Sequence, residues 1–374
     1  MLADRRVFLA GAGATAVISG IARAATPPYR IPITLTDSRV LVDCTIGDQG
    51  PFRFVFDTGG TVGLIKLELA KQLKLKQSGS TFLGLKQGRT TYPLFVVPDL
   101  AFAGQVRQPV SVIAGIEAFN FLDGAVGSIA AGALTAGDCE LDFEAKEWRI
   151  YRDGPPEHSG WTRYPSGIFH AGNLQASAFI AADATLNGRT FHFGLDTGSP
   201  TTTHIYRKTA QASGLWDEPR WAPAAPGGKG RMVRAPLQLA GATLDVIVTI
   251  TENPDWDIFP HGIIGLPVLR QFNMATAAKE QTLYLKRNAV AGVPERYNRA
   301  GLWIEPAGPN VKIAVVGAGS PAAKADLAAG DLLLGVDFGW LRKRMFEPAG
   351  TLIPLKVERG GAHRDISLTL EDYL

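Results

Sequence analysis

One eight-residue pattern occurs twice in this 374-residue chain and limits its fold more than any other feature. The first copy reads Phe52-Arg53-Phe54-Val55-Phe56-Asp57-Thr58-Gly59, and the second reads Phe191-His192-Phe193-Gly194-Leu195-Asp196-Thr197-Gly198. Apolar side chains fall on alternate positions in both, the period of a strand with one face in a core, and each strand runs directly into Asp-Thr-Gly. Downstream, Asp123-Gly124-Ala125-Val126-Gly127 answers His261-Gly262-Ile263-Ile264-Gly265, the last glycines lying 70 residues after Asp57 and 69 after Asp196. Strand-like runs follow in each copy: Cys139–Phe143 with Trp148–Tyr151 in the first, Thr282–Leu285 in the second. The duplication predicts two mainly β lobes, residues 25–153 and 161–288, joined by the proline- and glycine-bearing stretch Asp153–Gly160. The 42 glycines and 24 prolines are spread through apolar runs, which suits many short strands and turns.

The residue types at the end of each strand suit paired-carboxylate chemistry. Aspartate is short and cannot swing away, glycine permits a tight turn beneath it, and threonine offers a hydroxyl that can tie one loop to the other. A single Asp-Thr-Gly is an ordinary turn composition; two in one duplicated frame predict that Asp57 and Asp196 meet across a pseudo-two-fold axis. Two like charges so close cannot both ionise, so the pair holds one proton between them, with one member acid and the other base. A water between them can then be deprotonated as it attacks a carbonyl, while the protonated member donates to the developing oxyanion. No cofactor or metal is required.

These residues carry a family resemblance. Phe56-Asp57-Thr58-Gly59 and Leu195-Asp196-Thr197-Gly198-Ser199, each followed by a hydrophobic-hydrophobic-Gly segment, resemble the retropepsin-like and pepsin-like aspartic peptidases over roughly residues 28–286. Gly262–Phe272 is similar to the retropepsin-like form of bacterial single-chain members. The resemblance implies two acid-protease β-barrel-like lobes, catalytic Asp57 and Asp196, and loop support from Thr58, Gly59, Thr197, Gly198 and Ser199. It implies cross-lobe bonding by Thr58 and Thr197, polypeptide substrates, and an endopeptidase activity. Three positions depart from the pattern: Gly60 where serine or alanine is usual, Ala125 where a branched residue is usual, and His261 at a place often acidic. They leave open a second reading, a peptide-binding protein that keeps the fold with little or no turnover. The glycine-flanked turn from Gly84 to Gly88, with Tyr92 behind it, is the candidate flap; a plain surface hairpin is the alternative. Trp216, Trp221 and Trp256 are either subsite or core residues.

From residue 300 to 374 the pattern changes to strands around a short helix, and the segment resembles a PDZ domain of the bacterial type, an α+β unit. Gly301-Leu302-Trp303-Ile304 resembles its peptide-binding loop, Gly319–Leu327 its short helix with Ser320 as N-cap and Pro321 at the first turn. The resemblance implies capture of a C-terminal peptide on a sheet edge; a domain that only packs on the lobes is the alternative. At the other end, Arg5-Arg6-Val7-Phe8-Leu9, the apolar run Ala10–Ile21 and Ala22-Arg23-Ala24 read as a signal peptide over residues 1–24, similar to a twin-arginine export signal. Export to the periplasm or outside the cell is expected, with no stable membrane span after its removal. Cys44 and Cys139 stand open between a disulfide and two buried thiols. A formal charge of +3 is too small and dispersed for a nucleic-acid partner.

Overall fold

The computed structural model describes residues 26–85, 88–117, 121–170, 177–201, 203–254 and 258–374. The expected signal segment 1–24, the turn residues Lys86 and Gln87, and Trp256 lie outside the described residues. The protein is mainly β, with a 13-stranded, an 8-stranded and a 5-stranded sheet among the described residues. The first two sheets are barrel-like and carry the duplicated pattern.

In lobe one, the strand Gln49–Phe56 pairs antiparallel with Val40–Ile46. Its other edge pairs parallel with the short strand Gly127–Ile129, which is itself flanked antiparallel by Gly63–Lys66. Lobe two repeats the arrangement: Arg189–Asp196 lies between Phe179–Leu186, antiparallel, and Gly262–Gly265, parallel, with His204–Tyr206 beyond. Phe54, Phe56, Phe193 and Leu195 are fully buried, as the period-two pattern requires. Val55 and Gly194, on the opposite face, are buried too. In lobe one a second small core of Leu41, Val55, Leu64, Ala114, Ile116, Phe121 and Ala125 covers that face, and Leu83 and Tyr92 of the candidate flap hairpin pack against it. The acid-bearing strand end is thus clamped on both sides, and burial of such side chains stabilises by about 1.5–3 kcal/mol each.

The registers correct one element of the repeat. Phe54, three residues before Asp57, pairs with Gly127, whereas Asp196 itself pairs with Gly265. Gly127 is therefore the counterpart of Gly262, and Gly127-Ser128-Ile129-Ala130 corresponds to Gly262-Ile263-Ile264-Gly265. The sequence match of Gly127 to Gly265 is displaced by three residues. Close approach explains why glycine opens both segments: an added Cβ would lie 2.5 Å from Phe54 Cε1 at Gly127, and 2.8 Å from the Ile205 Cα at Gly262. The departures in lobe one accordingly sit at Ser128 and Ala130 rather than at Ala125.

A seam of strands fixes how the lobes sit together. Asp138–Asp142 of lobe one pairs antiparallel with Phe272–Ala277 of lobe two, in the register Leu141 to Met274 and Cys139 to Thr276. The strands Tyr29–Leu35 and Glu147–Tyr151 extend this sheet on one side, and Thr282–Arg287 and Thr162–Tyr164 on the other. Side chains reinforce the seam: Asn273 Oδ1 accepts from the Phe143 amide at 3.0 Å, and Asn273 Nδ2 donates to Asp142 at 3.0 Å. The disulfide alternative is not formed. Cys44 and Cys139 are free, buried thiols that lean toward different carbonyls, of Phe52 and Ala133, each at 3.6 Å. Burial pushes both thiols up to about 12.

The C-terminal sheet runs Leu302–Ala307, Asn310–Val316, Leu332–Leu333, Leu352–Arg359, Ala362–Thr369 in spatial and sequence order. Ser320 caps the helix Pro321–Lys324 through its Oγ, which accepts from the Ala323 amide at 3.2 Å. That helix stops short of Leu327, because Asp326 takes a positive φ of 54°. A second helix, Phe338–Arg344, is capped by Asp337. The chain end straps this sheet to lobe two: Tyr373 Oη donates to the Trp221 carbonyl at 3.3 Å, and Arg234 Nε to the Leu374 carbonyl at 2.8 Å. Among the described residues no helix is long and apolar enough to cross a membrane.

Candidate active site

The two Asp-Thr-Gly loops meet at the lobe interface. Thr58 and Thr197 are fully buried and bond reciprocally. Thr58 Oγ1 donates to the Leu195 carbonyl at 2.7 Å and accepts from the Thr197 amide at 2.9 Å. Thr197 Oγ1 donates to the Phe56 carbonyl at 2.6 Å and accepts from the Thr58 amide at 3.1 Å. Each of these threonine bonds has its mirror in the other loop, so each strand end is held by the opposite lobe.

This lattice brings Asp57 and Asp196 within hydrogen-bonding reach of each other. The glycines make the approach possible. A Cβ at Gly59 would stand 2.5 Å from Asp196 Oδ1, and one at Gly198 would stand 2.5 Å from the Asp57 Cγ. Either side chain would drive a carboxyl out of place. Gly59 donates its amide to Asp57 Oδ1 at 3.0 Å, while Gly198 and Ser199 both donate to Asp196 Oδ1, at 2.8 and 3.1 Å. The Ser199 hydroxyl pairs with Thr201 Oγ1 at 3.2 Å. Gly60 puts no side chain beside Asp57 Oδ2, which a Cβ there would crowd at 3.1 Å.

Burial, first, and the facing Asp196, second, push the Asp57 carboxyl well above the usual carboxylate range. The Gly59 amide and the Arg39 guanidinium pull the other way. The result is one proton shared by a pair that cannot carry two negative charges, the behaviour known from aspartic-protease dyads. Such a pair can act as base toward a water and as acid toward a carbonyl oxygen in one step. Among the described residues no three of His, Cys, Asp and Glu converge as metal ligands.

The other candidate residues lie apart from the dyad or beside it. Gly84 and Gly88 belong to a hairpin of the strands Lys76–Leu85 and Gly88–Phe102, in which Tyr92 pairs with Thr81. Its tip falls outside the described residues. Trp216 lies under the guanidinium groups of Arg207 and Arg231, at 4.3 and 4.0 Å from its ring centroid, and Trp221 stacks beneath Arg231 at 4.7 Å. In the C-terminal domain, Leu302 and Ile304 are buried in that domain's own core. The Gly301 amide donates to Asn298 Oδ1 at 3.1 Å, the Leu302 carbonyl accepts from Asn298 Nδ2, and the Trp303 ring lies over Gly228 of lobe two. Unlike an open carboxylate cradle, this loop has its first amide already engaged by Asn298. A cleft of about 670 Å³ in the same domain lies elsewhere, lined by Val336, Trp340, Pro354 and Ile366 among others.

One residue at the dyad carried no motif. Arg39 is only 5% exposed, directly precedes the strand beside Asp57, and bonds the Gly198 carbonyl of the opposite acid loop. The available signal was a lone charge heading the apolar run Val40-Leu41-Val42.

No curated protein matches the chain. Among solved structures, it is similar to an aspartic proteinase from Irpex lacteus, with 12% identity and a TM-score of 0.47 over 70% of this chain and 98% of that one. The aspartyl protease family model matches residues 42–127, the stretch of lobe one that contains Asp57-Thr58-Gly59.

Proposed function

We propose that this protein is an aspartic endopeptidase that hydrolyses peptide bonds of exported or cell-envelope polypeptides, using a water activated between Asp57 and Asp196. The observation that carries the reading is the reciprocal threonine lattice, which holds two half-buried carboxyls face to face. Similarity of residues 42–127 to aspartyl proteases supports it. The ionised carboxyl takes a proton from the water as it attacks the scissile carbonyl, and the protonated one donates to the oxygen that becomes anionic. No covalent intermediate arises, because the nucleophile is water. The hairpin ending near Gly84 and Gly88 would close over an extended substrate, and the N-terminal segment would direct export. Digestion of a peptide library over a pH series tests the reading, together with a pepstatin-type inhibitor and the variants Asp57→Asn and Asp196→Asn. Cleavage abolished by the inhibitor and by either substitution is the expected result; cleavage that survives both substitutions overturns it.

A second reading rests on Gly60 and on the altered segment Ser128-Ile129-Ala130: a peptide-binding protein with the peptidase fold and no turnover. It predicts peptide affinity unchanged by Asp57→Asn. Capture of a C-terminal peptide by the PDZ-like domain is a separate expectation, and binding of a fluorescent C-terminal peptide before and after amidation of its carboxylate tests it.

A further inference from the structure

Arg39 is fixed by carbonyls and not by a carboxylate. Its Nε donates to the Phe121 carbonyl at 2.8 Å, and one terminal nitrogen donates to the carbonyls of Ser38 at 2.9 Å and Gly198 at 3.1 Å. The last bond crosses between lobes, and Gly198 is the residue whose Cα abuts Asp57. A guanidinium keeps its charge even when buried. Burial disfavours that charge, and Asp57, then Asp123, then Asp196 favour it, in falling order. Asp123 is tied away from the dyad by Thr36 Oγ1 at 2.5 Å and Ser38 Oγ at 2.8 Å. From lobe two, Arg270 reaches the Thr36 carbonyl at 3.1 Å and stands 3.6 Å from exposed Asp37. Arg39 therefore seats a buried cation on the Gly198 carbonyl, at the loop that abuts Asp57.

The equivalent position of lobe two, among the described residues, carries no cation. Leu41 pairs with Val55 and Ala181 with Gly194, each partner two residues before its acid, so two steps back Arg39 corresponds to Phe179. Phe179 is buried against Phe259, with ring centroids 5.0 Å apart. One side of the pseudo-two-fold axis carries a buried cation and the other an aromatic pair. We propose that Arg39 is a positioning residue that makes the dyad electrostatically unequal, drawing its single negative charge toward Asp57 and letting the pair ionise in more acidic solution than two buried carboxyls otherwise would. The inference rests on the peptidase reading for its catalytic meaning, but not for its test.

Carboxyl carbon NMR of aspartate-labelled protein, assigned with Asp57→Asn and Asp196→Asn, reads the dyad whether or not the enzyme turns over. Arg39→Met should move both macroscopic midpoints upward by on the order of one pH unit. Both limbs of the pH profile of kcat/KM should move with them. Arg39→Lys, which keeps the charge, should return the midpoints toward those of the wild type. Midpoints that coincide in wild type and Arg39→Met, or that shift equally in the Met and Lys variants, overturn the proposal. If Arg39→Met does not fold, Arg39→Gln, which keeps hydrogen-bond donors for the Phe121 and Gly198 carbonyls and drops the charge, decides alone, and an unchanged midpoint there overturns it. A wild type that titrates as described yet cleaves nothing sinks the hydrolytic reading and leaves this one standing.

Discussion

Around Asp196 two amides, from Gly198 and Ser199, converge on one carboxyl oxygen, and the strand beneath presents Ile263, Ile264 and Gly265. Around Asp57 one amide, from Gly59, makes the matching bond, a glycine follows, and the strand beneath presents Ser128 and Ile129. Lobe one adds what lobe two lacks, the buried Arg39 in place of Phe179. The backbone scaffold is thus duplicated closely while its polar environment is not. A pseudo-symmetric frame can deliver two carboxyls to one point, and the side chains around it can still assign them different work.

The largest expected effect tests whether both halves are needed. Asp57→Asn and Asp196→Asn should each lower kcat/KM on a cleaved peptide by about a thousandfold or more, since each removes one half of the acid–base pair. A variant in only one lobe that kept full activity would break the comparison.

Next in size is the lattice, where the lobes are equal. Thr58→Val and Thr197→Val each delete two buried bonds and strand a carbonyl and an amide, which should cost about 2–4 kcal/mol. Urea unfolding of the two variants should agree; a clear inequality would mean that one loop holds the interface and the other merely follows.

A smaller effect concerns stability against pH. Asp57 has its carboxyl raised in the folded state, so between its ordinary 3.8 and the raised value the folded chain binds a proton that the unfolded chain has lost. Stability from this group is full below 3.8 and declines as pH rises through that window. Asp57→Asn should therefore raise the melting temperature near neutral pH and leave it almost unchanged near pH 3, which calorimetry at both values reads.

The smallest effect is local to lobe one. Ser128 is buried, and its hydroxyl finds no hydrogen-bond partner among the described residues. Ser128→Ala should stabilise the protein by about 1 kcal/mol in urea unfolding, because an unsatisfied hydroxyl is removed and little volume is lost.

Much of this site is readable from the chain because the signals are local. Phe52, Phe54 and Phe56, with Phe191, Phe193 and Leu195, write two strands at period two, and the acids follow without a gap. The segment beneath each acid was harder. Ala125-Val126-Gly127 imitates Ile263-Ile264-Gly265 in hydropathy, but what selects the true partner is close backbone approach at Gly127 and Gly262, a tertiary constraint that no local pattern records. Arg39 escaped for the same reason: its meaning comes from carbonyls 82 and 159 residues away. The Asn298 bonds at the Gly301 loop likewise depend on how the chain folds back on itself.

The strand seam between Asp138–Asp142 and Phe272–Ala277 has a mechanical consequence. Because the halves share one continuous hydrogen-bonded ribbon, they behave like two leaves sewn along a spine, and the seam together with the threonine bonds, not the linker, keeps the acids together. A nick within residues 153–160 should leave both leaves joined and the pair of acids in place. Loosening a single stitch, such as Asn273, should weaken the joint between the leaves while the connecting chain remains whole.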